Sequence, residues 1–236
     1  MFTLFCADER LIGGITLAAV VLIAVALLFI IGNNRKNDTR VLAYGAICVA
    51  LSFGLSYIKI PISFLGGSIT LASMVPLLLF SYCFGIGKGL MVGMIYGLLQ
   101  FVQNPYFLTP VQFIFDYLLA FSALGLCGVI RRMKSARASL IVGTLIATVT
   151  RFLCHIIAGV VYFEAGWVEA SLPIFGDTAG LSAFVYSTAY NAVYMLPEII
   201  ITTAVIAALA ASKSFLRVLP KSTLTLKCAD EQKGDN

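Results

Sequence analysis

Four ionisable side chains, Asp116, Arg151, His155 and Glu198, sit inside long apolar runs where the solvent would be lipid. Each is costly there without a partner or a water-filled cavity, which makes each a candidate for function or for structural pairing. Counted inward from the outer helix ends at about 1.5 Å per residue, Asp116 lies ~8 Å deep, with His155 and the amide of Asn191 ~12 Å deep. Arg151 and Glu198 fall roughly 18 to 22 Å deep, near the middle of the bilayer. Two levels imply two jobs. The deep residues read as a structural ion pair, each neutralising a charge that lipid rejects, with a proton path as the other reading. The shallow level reads as a pocket open to the outside. One carboxylate, one imidazole and one amide near Tyr96, Tyr106, Tyr117, Phe163 and Tyr186 suit an aromatic ligand with polar edges and positive charge. The plainer alternatives are tyrosines anchored at the membrane interface and a satisfied core histidine at 155.

Other chemistry is excluded by what is missing. Residues 85–89 read G-I-G-K-G, without the spacing or the Ser/Thr of a nucleotide-binding loop, so any transport needs an outside energy source. A single histidine rules out an H-E-x-x-H zinc site, and no G-x-S-x-G elbow occurs. Neither an enzyme nor a metal or cofactor site is expected.

The elements that must position these side chains are membrane helices. Of 236 residues 60% are hydrophobic and 11% charged, with a mean hydropathy of +0.99, which predicts an all-α integral membrane protein. Apolar runs near 11–32, 41–58, 69–85, 89–103, 111–130, 138–163 and 183–211 give seven candidate spans. Asp8 and Glu9 precede the first run and no cleavage site closes it, so it reads as a retained helix rather than a signal peptide. The expected organisation is an extra helix and linker over 1–40, a six-helix membrane domain over 41–212 and a polar tail over 213–236. The six cysteines show no C-x-x-C or metal spacing and read as packing residues.

Of 16 cations, 13 fall on one side when alternate connections are taken as facing the same way, from Arg35, Lys36 and Arg40 to the tail. Only Arg10 and Lys59 fall on the other, which puts the N-terminus outside and the C-terminus in the cytoplasm. The cations flank membrane segments, so nucleic-acid binding is not expected. Gly85, Gly89, Gly93 and Gly97 form a row for close helix contact, and Ala46 and Ala50 form a weaker seam that could face a partner subunit.

Several longer stretches carry a family resemblance: L-G-G-S-I-T-L-A-S-M-V-P-L-L-L (65–79), Y-G-L-L-Q (96–100), Q-F-I-F-D-Y-L-L-A-F (112–121), R-F-L-C-H-I-I-A-G-V-V-Y-F (151–163) and V-Y-S-T-A-Y-N-A-V-Y-M-L-P (185–197). In this order, from about Ala43 onward, they resemble the thiamine-specific substrate-binding subunits of energy-coupling factor (ECF) transporters. The resemblance implies a six-helix subunit that captures thiamine from outside and joins a module of one transmembrane coupling protein and two ATPases. It implies ligand contacts at Asp116, Tyr117, His155, Phe163, Tyr186 and Asn191, with Tyr96 and Tyr106 at further aromatic positions. It also implies docking on the coupling protein through Ala46 and Ala50. Where some relatives carry glutamate this chain has Asp116, one methylene shorter, and its single tryptophan, Trp167, lies in the outer loop. A proton-coupled secondary transporter of thiamine or a related vitamin is the alternative function.

Overall fold

The computed structural model describes residues 39–61, 68–104, 109–131, 133–164, 171–172, 176–177 and 182–219. The predicted span 11–32 and the tail beyond Leu219 lie outside the described residues. Six helical segments account for nearly all the rest: α1 (Thr39–Leu55), α2 (Val75–Phe84), α3 (Ile86–Gln103), α4 (Pro110–Gly128), α5 (Ala136–Glu164) and α6 (Ala183–Ala211). A short α7 (Lys213–Val218) follows. Among the described residues α3 to α6 are long and apolar enough to cross a membrane, and α1 and α2 are shorter apolar helices.

Two small antiparallel ribbons interrupt the helices: β1 (Lys59–Pro61) with β2 (Ser68–Thr70), and β3 (Ser171–Leu172) with β4 (Gly176–Asp177). The run expected as a span over 69–85 is helical only from Val75, because its first residues pair as β2. The local chemistry explains the difference. Thr70 and Ser73 bond to each other through their side chains, and hydroxyl residues of this kind compete with a helical backbone, while Pro76 suits a first turn and sets the start of α2 there.

The interior is mainly apolar, and the polar residues of the helices are gathered within it rather than outside. On α5, Ser139, Thr144, Thr148 and Arg151 are buried, whereas Val142, Val149, Leu153 and Ile157 face outward. Lipid accepts that apolar face, and the polar residues must meet one another within. One end of the bundle gathers Arg40, Lys88, Arg131, Lys134, Arg137, Lys213 and Arg217, as the antiparallel helix order requires. There Arg137 donates to the carbonyl of Ala211 at the C-terminus of α6, at 3.2 Å, where the helix dipole favours a cation.

The glycine row is a backbone contact between α3 and α4. A methyl on Gly89 would lie 2.9 Å from Gly125 Cα, one on Gly93 3.0 Å from the Phe121 carbonyl carbon, and one on Gly97 3.1 Å from that of Tyr117. Gly85 is different. It sits between α2 and α3 with φ 90°, a conformation that makes the turn and disfavours other residues.

A polar bolt crosses the core below the middle of α6. Arg151 Nη1 lies 2.8 Å from Glu198 Oε2, with the two residues 7% and 3% exposed. The other carboxylate oxygen accepts a hydrogen bond from Thr70 Oγ1, so Ser73, 2.6 Å from that hydroxyl, is left to donate to it. Arg151 Nη1 is also 2.8 Å from Met74 Sδ, and the guanidinium carbon stands 4.6 Å over the Phe121 ring.

Gly93→Ala is expected to destabilise the protein by about 1–3 kcal/mol, as overpacking does, read as a lowered midpoint of thermal unfolding in detergent. Glu198→Gln leaves the Arg151 charge buried and is expected to cost about 3–5 kcal/mol. The reciprocal exchange, Arg151→Glu with Glu198→Arg, should recover much of that loss if pairing is what matters, which the same melting measurement checks.

Candidate functional site

The halves of α4, α5 and α6 away from the cationic end bring Asp116, His155 and Asn191 together. Thr109 caps α4, its hydroxyl accepting from Gln112 N at 3.2 Å, and Pro110 follows at the first position. The helix then widens into a π turn over Ile114–Leu119, which carries Asp116 and Tyr117. Such a turn inserts an extra residue and changes the direction of the side chains on it, a frequent device at binding sites. Asp116 Oδ1 lies 2.8 Å from His155 Nδ1 on α5. The side chains are 22% and 11% exposed, so the carboxylate is the more open of the two.

Asn191 ties α6 to α5 behind this pair. Its Nδ2 donates to the carbonyl of Ser187 at 2.9 Å and to that of His155 at 3.2 Å. Ser187 itself donates to the carbonyl of Ile156 at 2.8 Å, and this close approach requires Gly159, where a methyl would lie 3.0 Å from Ser187 Cβ. Asn191 Oδ1 accepts from Tyr194 Oη, and the Tyr194 ring meets the His155 ring edge-on with centroids 6.4 Å apart. Tyr190 stands edge-on to Tyr194 at 5.9 Å. One carboxylate, one imidazole, one amide and a phenol thus form a continuous polar cluster.

Asp116, His155 and Asn191, read from sequence as one level, are joined by these contacts, and Arg151 with Glu198 forms the separate deeper pair. The tyrosines divide. Tyr117 turns its ring into Phe101 and Phe113, at 5.1 and 5.6 Å, and donates to the carbonyl of Asn104 at 3.3 Å. Tyr96 belongs to the deep level: its hydroxyl donates to the carbonyl of Ser52 at 3.4 Å, and its ring meets Phe121, which carries Arg151. Tyr186 is buried near the start of α6. Tyr106, Trp167 and the side chain of Phe163 lie outside the described residues. Ala46 and Ala50 are exposed on α1 beside Leu42, Ile47 and Leu51.

Sequence reasoning missed Tyr194. The signal was available, since it follows Asn191 by three residues and so shares its helix face.

Comparison with known proteins identifies the family of the chain. Residues 42–217 match the family described as Thiamine transporter protein (Thia_YuaJ), a stretch that leaves the predicted first span outside it. The chain is 32% identical over 152 residues to the thiamine transporter ThiT of Bacillus subtilis strain 168, covering 60% of this chain and 73% of that one. It is also similar to the solved structure of ThiT from Listeria monocytogenes, at 26% identity and a TM-score of 0.61, over 75% of this chain and 97% of that chain. A match spanning all six described helices, on a bundle of apolar helices with a polar cluster at one end, means that this multi-pass membrane protein belongs to the thiamine transporter protein family.

Proposed function

We propose that the chain is the substrate-binding subunit of an ECF-type transporter, which captures thiamine at the outer face of the membrane. A separate module of a transmembrane coupling protein and two ATPases then drives uptake. The observation that carries this reading is the Asp116–His155–Asn191–Tyr194 cluster on three apolar helices in a member of a thiamine transporter family. Thiamine is a cation with an aminopyrimidine edge. Asp116 supplies the countercharge, His155 and Asn191 supply hydrogen-bonding groups, and Tyr117, Phe163 and Tyr186, with Tyr106, supply aromatic surface. The protein binds and hands over its ligand without transforming it.

In this reading residues 41–212 are the binding domain, 1–40 an added helix and linker, and 213–236 a cytoplasmic tail. The cationic end of the bundle faces the cytoplasm, which leaves the polar cluster toward the outside and the N-terminus outside as well. Ala46 and Ala50 form the docking seam, where small side chains let a partner helix approach closely.

Asp116→Asn is expected to weaken thiamine binding by about 1.5–3 kcal/mol, the range for a hydrogen bond to a charged group, as measured by calorimetry on the purified protein. Unchanged affinity would remove Asp116 from the site. Ala46→Trp or Ala50→Trp should leave binding intact and abolish uptake by cells, and uptake that survives both substitutions would place docking elsewhere. Reconstituted alone in vesicles with a pH gradient, the protein should bind thiamine without accumulating it. Accumulation would instead identify a secondary carrier.

A further inference from the structure

We propose that the cleft where the turn between α2 and α3 meets the end of α4 is a binding site for the headgroup of an anionic phospholipid, with Arg131 as the residue that holds its phosphate. The proposal takes its leaflet, the cytoplasmic one, from the orientation given above and does not depend on which ligand is transported. The cleft is a half-open cavity of about 210 Å³ lined by Ile86, Gly128, Val129 and Arg131. Its floor is main chain. Ser81 on α2 donates to the carbonyl of Gly125 and accepts from Gly128 N at 3.2 Å, which draws the end of α4 onto the turn. A methyl on Gly128 would lie 2.9 Å from Ile86 N and 3.0 Å from the Gly85 carbonyl carbon, so the main chains of α3 and α4 are in contact there. The volume is below that of a pocket for a drug-sized ligand and suits a single tetrahedral oxyanion.

The chemistry of the lining selects the occupant. Arg131 is half-buried, and its guanidinium lies against the turn, with Nη1 2.8 Å from the place a methyl on Gly85 would take. Arg151 meets a carboxylate and Arg137 a helix-terminal carbonyl, whereas Arg131 has no hydrogen-bonding or ionic partner among the described residues. No Asp or Glu among the described residues lies at this end of the bundle, where Lys88, Lys134 and Arg137 add to the positive charge. A cation that only sets topology reaches water, as the exposed Lys134 does, but Arg131 is partly withdrawn from it. Its guanidinium fork, with donors to spare, matches two oxygens of a phosphate. The apolar walls decide the source of that phosphate. Ile86 and Val129 are 37% and 47% exposed and stand beside the cation. A free phosphate gains nothing from them. A phospholipid covers both with its glycerol and acyl carbons while its phosphate reaches Arg131, and basic clefts between helices on the cytoplasmic side hold anionic headgroups in this way.

The full-length protein, purified in detergent, is examined by native mass spectrometry with dioctanoyl phosphatidylglycerol, dioctanoyl phosphatidylcholine and glycerol 3-phosphate. The wild type is expected to retain phosphatidylglycerol about tenfold more tightly than phosphatidylcholine, and Arg131→Gln to bring that preference down to about threefold or less. Ile86→Glu is the second variant and decides the matter where Arg131→Gln does not fold. A carboxylate is favoured in the first turn of a helix, so α3 tolerates it, and it should pair with Arg131 and remove the preference as fully. Arg137→Gln, at the same end but outside the cleft, should keep the preference. Equal retention of the two lipids by the wild type overturns the proposal, as does a preference that survives in the cleft variants. An equal loss in Arg137→Gln overturns it too, because the lipid is then drawn by the whole cationic end and not by this cleft. Glycerol 3-phosphate held as tightly as phosphatidylglycerol overturns the lipid as occupant in favour of a soluble phosphate. None of these measurements uses thiamine, so their failure leaves the transport reading standing, and a failure of thiamine to bind leaves this site standing.

Discussion

A guanidinium and a carboxylate 2.8 Å apart in the interior tie together five segments of the described structure. Arg151 comes from α5 and Glu198 from α6, Thr70 from the ribbon and Met74 from the turn before α2, and Phe121 on α4 lies beneath the guanidinium. Neither charge can be left alone in a hydrocarbon environment, so five segments are held to one point by the need to keep both satisfied. The turn shows the effect locally. Ala72, between Thr70 and Met74, has a φ of 59°, a left-handed conformation that a non-glycine residue keeps only when its flanks are fixed. Both flanks are fixed, one by Glu198 and the other by Arg151.

The Asp116–His155–Asn191 cluster uses the same currency of polar groups for a different end. In the deep pair the opposite charges are matched and the remaining carboxylate oxygen is taken by Thr70, with only Arg151 Nε buried there without a partner among the described residues. The shallow cluster is left open, with a single carboxylate balanced by an imidazole and a side chain that still reaches solvent. Pro197 lies between Tyr194 and Glu198 on α6, where it removes one backbone N–H at the boundary of the two levels. One helix therefore contributes to a finished interior and to an unfinished one, with the division falling within a single turn.

Much of this was legible in the chain. The six described helices follow from apolar runs that lipid requires, and the two levels follow from counting rise per residue to Asp116, His155, Asn191, Arg151 and Glu198. What was not legible depends on hydrogen-bond register and on long-range contact. The π turn beneath Asp116 leaves no mark in hydrophobic periodicity, because every residue around it is apolar or aromatic. The ribbon at Ser68–Thr70 was absorbed into an apolar run because Ile69 and Leu71 to either side resemble helix as readily as strand. Tyr96 was read with the shallow level, and the structure engages it with Ser52 and Phe121 beside the deep pair, a long-range contact that position along a helix does not reveal. Tyr194 went unread because tyrosines near a membrane surface have an ordinary explanation.

The contact between α3 and α4 restricts how the sequence can change with time. At Gly89, Gly93 and Gly97 an added methyl would strike the main chain of α4, including Gly125 Cα and the carbonyl carbons of Phe121 and Tyr117. A collision with a side chain can be undone by a second mutation that trims that side chain. A collision with backbone offers nothing to trim, because every residue type carries the same atoms there. Gly93 and Gly97, where the nearest obstruction is a carbonyl group of α4, therefore have no side chain among the described residues whose trimming would relieve the clash, and drift at the rest of the bundle must proceed around them.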